Sequence, residues 1–196
     1  MSERVRFFYS FRSPYSYLVG PRVADLVRRY DIDLDCRGVP PMVTRGIKLS
    51  QAKKMYIVLD SKRLARKLGM PFGNTVDPLG EGAIRCLRVN ELAKDKGRAL
   101  EFFLAASRGI WGEGLDVATA PGLAQVVKNA GLEWPDAWLA LEEPDYKRRI
   151  EENRELLAEV GHWGVPTFEV RGEVFWGQDR VEALTRKLEA LGVPHR

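Results

Sequence analysis

A single serine stands where the first predicted strand meets the first predicted helix. An apolar run over residues 5–11 is followed by Arg12, Ser13 and Pro14, and then by a helical pattern. Pro14 suits the first helical turn, so Ser13 is predicted to cap the helix at the positive end of its dipole. A helix N-terminus lowers the pKa of a thiol. Since no cysteine is near, a thiolate held by Ser13 would belong to a ligand; the alternative is an ordinary cap.

A proline near the other end of the chain marks a second candidate position. Pro166 stands just before a predicted hairpin, whose strands cover residues 168–170 and 174–176. It is either an ordinary strand-entry residue or part of a cis peptide bond. In the second case the backbone of Val165 is free to pair with a ligand.

Two polar residues follow the hairpin. Gln178 and Asp179 lie between a glycine and the last predicted helix, residues 181–188. Asp179 is predicted to be the N-cap of that helix, and a binding role explains it equally well.

Hydrophobic periodicity places these positions in a defined order of elements. Strands over residues 4–11 and 32–36 flank a helix over 14–30, which predicts a β-α-β unit with a right-handed crossover. Further helices are predicted over residues 50–68, 80–93, 98–110, 121–130, 133–142 and 145–160. The hairpin and the last helix then form a β-β-α unit.

Three stretches carry a family resemblance. They read FYSFRSPYSYL at residues 8–18, YIVLDSKR and GMPF at residues 56–63 and 69–72, and GVPTF and FWGQDR at residues 164–168 and 175–180. In this order they resemble 2-hydroxychromene-2-carboxylate isomerases and kappa-class glutathione transferases.

The resemblance implies an α/β fold, in which a thioredoxin-like β-α-β and β-β-α core carries a large inserted helical domain. DsbA and the kappa-class glutathione transferases have this architecture. We expect residues 1–45 and 161–196 to form the thioredoxin-like domain, and residues 46–160 to form the inserted all-helical domain.

The resemblance also implies that glutathione is the cofactor. Ser13 would hold the glutathione sulfur and stabilise it as a thiolate. Val165, before a cis-Pro166, would pair with the cysteinyl backbone of glutathione. Gln178 and Asp179 would face its γ-glutamyl end.

The activity implied is that of a glutathione-dependent isomerase acting on 2-hydroxychromene-2-carboxylate-like aromatic oxo acids. The thiolate would add to a conjugated carbon, the resulting single bond would rotate, and elimination would release the isomer. Arg12, Lys48 and Lys54 are the candidate cations for the substrate carboxylate.

Two alternatives stay open at this point. A kappa-like glutathione transferase would use the same Ser13 site and release a conjugate. A thioredoxin-fold binding protein without catalysis also stays open, because the chain departs twice from the family pattern, with Ser10 in place of Asp and no Asn near residues 46–48.

The cysteines and histidines exclude other chemistry. Cys36 and Cys86, the two cysteines of the chain, form no Cys-x-x-Cys pair, which argues against dithiol–disulfide exchange. His162 and His195 do not have metal-ligand spacing, so no metal is expected. His162 is predicted to lie at a helix end or in a loop, and a substrate-facing role stays open.

Composition restricts the class of partner. The net charge of +4 suits an anionic small molecule, and the basic residues are interleaved with acids, which argues against nucleic acid. No apolar run approaches the ~18 residues of a membrane span, so no membrane partner is expected. We expect a cytoplasmic protein, and the resemblance implies a homodimer.

Overall fold

The computed structural model describes residues 2–196 and has the expected order of elements. These are β1 (Glu3–Tyr9), α1 (Pro14–Arg29), β2 (Ile32–Gly38), a 3-10 turn (Met42–Arg45), α2 (Gln51–Lys67), α3 (Glu81–Asp95), α4 (Ala99–Trp111), α5 (Ala120–Asn129), α6 (Trp134–Ala140), α7 (Pro144–Glu159), β3 (Thr167–Val170), β4 (Glu173–Trp176) and α8 (Val181–Ala190). The predicted helices and strands are confirmed, with bounds that differ by at most two residues.

The sheet has the strand order β2-β1-β3-β4. β1 runs parallel to β2, and α1 connects them, as predicted for the β-α-β unit. β3 lies antiparallel to both β1 and β4, so the C-terminal hairpin completes the sheet beside β1. The thioredoxin-like β-α-β and β-β-α core is therefore confirmed.

Alternation along β1 divides the core into two sides, because successive side chains of a strand point to opposite faces. Phe7 stacks on Phe168 with ring centroids 4.8 Å apart, and it meets the edge of Phe103 from α4 at 5.1 Å. Phe8, on the other face, packs in a cluster with Leu157 of α7. Burial of one such ring stabilises the fold by about 1.5–3 kcal/mol. Helices between β2 and β3 thus cover both faces of the sheet.

A buried polar network ties α3 and α7 to the sheet. Asn153 donates from Nδ2 to the backbone oxygen of Gly38 at 3.1 Å and to Oε1 of Glu91 at 2.9 Å. Arg149 places Nε 3.0 Å from the other oxygen of Glu91. Since both Asn153 and Glu91 are fully buried, these bonds fix the position of the helices relative to β2.

None of the helices within residues 2–196 has the combination of length and hydrophobicity that crossing a bilayer requires.

Candidate functional site

Ser13 caps α1, as the sequence predicts. Its backbone is extended, and its Oγ accepts a hydrogen bond from the backbone N–H of Ser16 at 3.2 Å. The first turn of α1 has no acidic residue, whereas Arg28 and Arg29 lie in the last turn. Because no carboxylate opposes the positive end of the dipole, this N-terminus favours an anion.

The Ser13 hydroxyl also faces the segment before β3. It donates to the backbone oxygen of Val165 over 3.5 Å. A strong O–H···O bond is about 2.5–3.0 Å long. The hydroxyl of Ser13 therefore donates only a weak hydrogen bond here, and it can donate a stronger one to a better acceptor, such as a thiolate.

The peptide bond between Val165 and Pro166 is cis, as one of the two sequence interpretations required. The ladder between β1 and β3 begins at Thr167, so Val165 lies just outside it. Among the hydrogen bonds of residues 2–196, none uses the backbone N–H of Val165. This donor is left for a ligand beside the Ser13 hydroxyl.

Gly177 connects this segment to the loop after β4. Its N–H donates to the backbone oxygen of Pro166 at 2.9 Å, and its φ is +121°. A Cβ at this position would stand 2.5 Å from Oδ1 of Asp179, so the Asp179 side chain lies directly over the glycine. The loop that carries Gln178 and Asp179 is thereby held next to the cis-proline segment.

Asp179 is not the cap of the last helix, and that prediction is wrong. α8 begins at Val181, and its N-cap is Arg180, which makes no side-chain capping bond. A capping side chain must stand at the N-cap position itself to reach the free N–H groups of the first turn. Asp179 stands one residue too early, and its exposed carboxylate is left for another use.

Arg22 is a functional candidate that the sequence did not reveal. It lies on α1, and its Nη2 donates to Oε1 of Gln178. Burial lowers the pKa of Arg22, against the opposing influence of the carboxylates of Asp179 and Glu182. The sequence of α1 does not distinguish an arginine that faces solvent from one that faces this loop, because the partner of Arg22 lies 156 positions away.

The three cations expected to hold a substrate carboxylate are differently placed. Arg12 binds Asp77 through two hydrogen bonds of 2.7 Å, and this contact raises the pKa of Arg12 and lowers that of Asp77. Lys48 precedes α2 and Lys54 lies on it, and both are exposed. Neither lysine forms an ion pair with another residue of the described chain. The charge of Arg12 is thus already matched within the protein.

Aromatic side chains join the helical region to the Ser13 loop. The Tyr15 hydroxyl donates to Oδ2 of Asp60 on α2 at 2.9 Å, and Nε1 of Trp111 donates to the backbone oxygen of Phe11 at 3.0 Å. Beside them lies a groove of about 390 Å³. It is lined by Leu59, Lys62, Arg63, Arg66, Met70 and Phe72.

His162 lies in the loop after α7, as predicted. Its Nδ1 accepts a hydrogen bond from the backbone N–H of Gly164 at 2.9 Å, so the neutral ring carries its proton on Nε2. Burial lowers the pKa of His162, which favours this neutral form. The ring packs against two half-exposed indoles, Trp163 and Trp176, with centroids 5.7 and 4.3 Å away.

Both cysteines are buried and free. Burial raises the pKa of Cys36 to about 12, and it raises the pKa of Cys86 further above the ordinary value. Neither thiol is a source of thiolate at neutral pH. Within residues 2–196, no three His, Cys, Asp or Glu side chains are arranged to hold a metal ion.

A thioredoxin core with inserted helices, in which a cis-proline segment faces the start of α1, defines the DsbA-like class of proteins. The family model described as DSBA-like thioredoxin domain matches residues 4–189, and the chain belongs to this family.

Among individual proteins, the chain is 24% identical to a 2-hydroxychromene-2-carboxylate isomerase from Sphingobium xenophagum, over 94% of this chain and 97% of that protein. A solved 2-hydroxychromene-2-carboxylate isomerase superposes with a TM-score of 0.82 at 22% identity, over 96% and 95% of the two chains. The cytosolic disulfide reductase DsbM from Pseudomonas aeruginosa, solved with GSH, gives a TM-score of 0.70 at 18% identity, over 95% and 99%.

Proposed function

We propose that this protein is a glutathione-dependent isomerase acting on 2-hydroxychromene-2-carboxylate or a related aromatic oxo acid. The observation that carries the proposal is the position of the Ser13 hydroxyl. It lies between the start of α1 and the Val165 backbone, and the hydrogen bond that it donates is weak. The names of the curated relatives support the same reaction.

The residues around Ser13 fit the parts of glutathione. The Ser13 hydroxyl and the α1 dipole would favour the sulfur as an anion. The unused N–H of Val165 would bind a backbone carbonyl of the cysteinyl unit. Gln178 and Asp179, joined to Pro166 through Gly177, would bind the γ-glutamyl end. One protein of this fold has been solved with glutathione, so the fold is compatible with the ligand.

The chemistry that glutathione supplies when bound is reversible addition of a thiolate to a conjugated double bond, which permits rotation about that bond. The role of Ser13 is to keep the sulfur deprotonated by donating its own proton into a hydrogen bond. The buried, protonated thiols of Cys36 and Cys86 take no part.

A kappa-like glutathione transferase is the second candidate. It is favoured by the pairing of Arg12 with Asp77, because this cation is already neutralised and a transferase substrate needs no carboxylate anchor. The two candidates differ in thiol balance: an isomerase returns free glutathione, whereas a transferase consumes one thiol for each product.

We test the proposal by calorimetric titration of glutathione into the native protein and into Ser13→Ala. The control is Thr119→Ala, which removes a second N-cap hydroxyl, one that accepts from Gly122 N–H at 3.2 Å at the start of α5. We expect the native protein to bind glutathione and Thr119→Ala to keep native affinity. Ser13→Ala should bind at least about tenfold more weakly, since a hydrogen bond to a charged group contributes roughly 1.5–3 kcal/mol. Absence of native binding at millimolar glutathione would refute the cofactor and leave a binding protein with another ligand.

Turnover then separates the two reactions. Incubation with 2-hydroxychromene-2-carboxylate and glutathione should interconvert the isomers while the concentration of free thiol stays constant. Loss of free thiol in proportion to product would instead assign the transferase reaction.

We further propose that the protein acts as a homodimer in the cytoplasm, where the glutathione pool is kept reduced. The exposed apolar side chains of α2 support the first part of this proposal, and their test is described below.

A further inference from the structure

The side chain of Arg22 crosses from α1 to the loop after β4. It is half-buried, its Nη2 donates to Oε1 of Gln178, and its Nε is buried without a hydrogen-bond partner in the described chain. A guanidinium kept partly out of water is costly unless its hydrogen bonds compensate, and among the described residues its side-chain partner is Gln178.

Arg22 determines which end of the Gln178 amide faces outward. A guanidinium has five donors and no acceptor, so Gln178 has to turn its oxygen toward Arg22. The NH₂ group of Gln178 then points away from Arg22. The group that Gln178 turns toward a bound ligand is therefore its NH₂ donor, and this polarity follows from hydrogen-bond chemistry rather than from the assignment of atoms.

Asp179 supplies the opposite polarity at the next position. Its exposed carboxylate lies over Gly177 and is near enough to the Arg22 guanidinium for the two charges to interact. A carboxylate accepts hydrogen bonds and attracts a cation. Donors from Gln178 and an acceptor from Asp179 therefore stand side by side, which matches the carboxylate and the ammonium of one α-amino acid group.

We propose that Arg22 is a positioning residue that makes this loop specific for a free α-amino acid end, the γ-glutamyl group of a γ-glutamyl thiol. Arg22 holds Gln178 as a donor to the α-carboxylate, while Asp179 binds the α-ammonium. The inference rests on the proposed function, since it takes glutathione as the ligand. It adds a residue that acts through Gln178, and a rule for which thiols are accepted.

The test compares three tripeptide thiols by calorimetry. They are glutathione, 4-aminobutanoyl-cysteinyl-glycine, which lacks the α-carboxylate, and glutaryl-cysteinyl-glycine, which lacks the α-ammonium. The native protein should bind glutathione at least about tenfold more tightly than either analogue, because each lost charge-assisted bond contributes roughly 1.5–3 kcal/mol.

Two substitutions isolate the positioning role. Gln178→Glu keeps an oxygen against Arg22 but presents a second oxygen, in place of NH₂, to the ligand. Arg22→Met keeps much of the side-chain stem and frees the amide to turn. Both should weaken glutathione binding at least about tenfold, and neither should weaken binding of the analogue without the α-carboxylate. Arg22→Lys, also a pure donor, should restore part of the preference.

The outcomes separate the two proposals. Equal weakening of glutathione and of the analogue without the α-carboxylate in Arg22→Met would show that Arg22 only supports the fold, and would overturn the inference alone. Equal native affinity for all three thiols would do the same. Failure of the native protein to bind any of them would overturn the cofactor proposal and this inference together.

Discussion

At the scale of single residues, Gly177 determines where Asp179 can lie. Its φ of +121° is a conformation that side-chain-bearing residues rarely adopt, and a Cβ would stand 2.5 Å from the Asp179 carboxylate. The same glycine donates to Pro166 and so fixes the loop against the cis-proline segment. The lack of a side chain at Gly177 therefore permits this backbone conformation and also leaves room for Asp179 in the proposed γ-glutamyl site.

We predict that Gly177→Ala weakens glutathione binding by displacing Asp179. The backbone strain alone should lower the free energy of unfolding by about 1–3 kcal/mol. Gly192→Ala is the matched control, because Gly192 also has a positive φ of 68° but a Cβ there would meet nothing within 4 Å. Chemical denaturation and calorimetry should show both variants destabilised, but only Gly177→Ala impaired in binding. Native affinity in Gly177→Ala would contradict the role given to Asp179.

Local signals decided which site residues the sequence could predict. The capping role of Ser13 was predictable because a serine followed by a proline at a strand–helix junction is a cap signal complete within a few residues. Arg22 was not, because its partner, Gln178, is distant in sequence. The cap assigned to Asp179 failed by one position, since helix starts are set by backbone conformation and Arg180 can take the N-cap without a capping side chain.

At the scale of elements, the hydrogen bonds of Asn153 hold α7 in position against the sheet. Asn153 bridges the end of β2, at Gly38, and α3, at Glu91, entirely out of water. Removal of a buried partner leaves its companions unsatisfied, and that penalty exceeds the value of the bond itself. α7 leads directly into the loop before Val165, so the position of this helix also affects the position of the candidate site residues.

We predict that Asn153→Ala lowers the free energy of unfolding by about 2–4 kcal/mol, because two buried acceptors lose their donor. Gln125→Ala is the control, since Gln125 makes a comparable 2.9 Å bond to Asn129 in an exposed position on α5. Its loss should change stability by less than about 0.5 kcal/mol. Equal effects in urea denaturation would mean that the buried network does not stabilise the helices.

Most elements could be predicted from the sequence, because their ends carry local signals. Ser50 and Thr119 cap α2 and α5 through their side chains, and prolines open several helices. The pairing of β1 with β3 could not be read from periodicity, because the two strands are far apart in the chain and the period shows only which face is buried. The family resemblance supplied that part of the prediction.

At the scale of the whole molecule, α2 exposes a group of large apolar side chains to solvent. Met55, Val58 and Leu59 share one side of the helix by their spacing and are 62%, 49% and 60% exposed. Contiguous exposed apolar side chains of this kind mark interaction surfaces. A second copy of the chain is the occupant that the family resemblance implies.

We predict that Leu59→Glu converts a dimer into a monomer, because the interface would lose an apolar contact and would have to take a carboxylate out of water. Leu139→Glu on α6 is the control, since Leu139 is 73% exposed but lies on another helix. Light scattering coupled to size exclusion should give half the native mass for the first variant and the native mass for the second. A native protein of monomeric mass would remove the dimer proposal.

The burial of both cysteines has a consequence for oxidative stress. A protein that works beside a pool of glutathione can be modified by S-glutathionylation of its own cysteines. This reaction requires a cysteine thiolate that oxidised glutathione can reach. Cys36 and Cys86 are buried and held in the protonated form. The folded chain therefore offers oxidised glutathione no sulfur with which to form a mixed disulfide, and its activity should be independent of the ratio of oxidised to reduced glutathione except through the concentration of the reduced form.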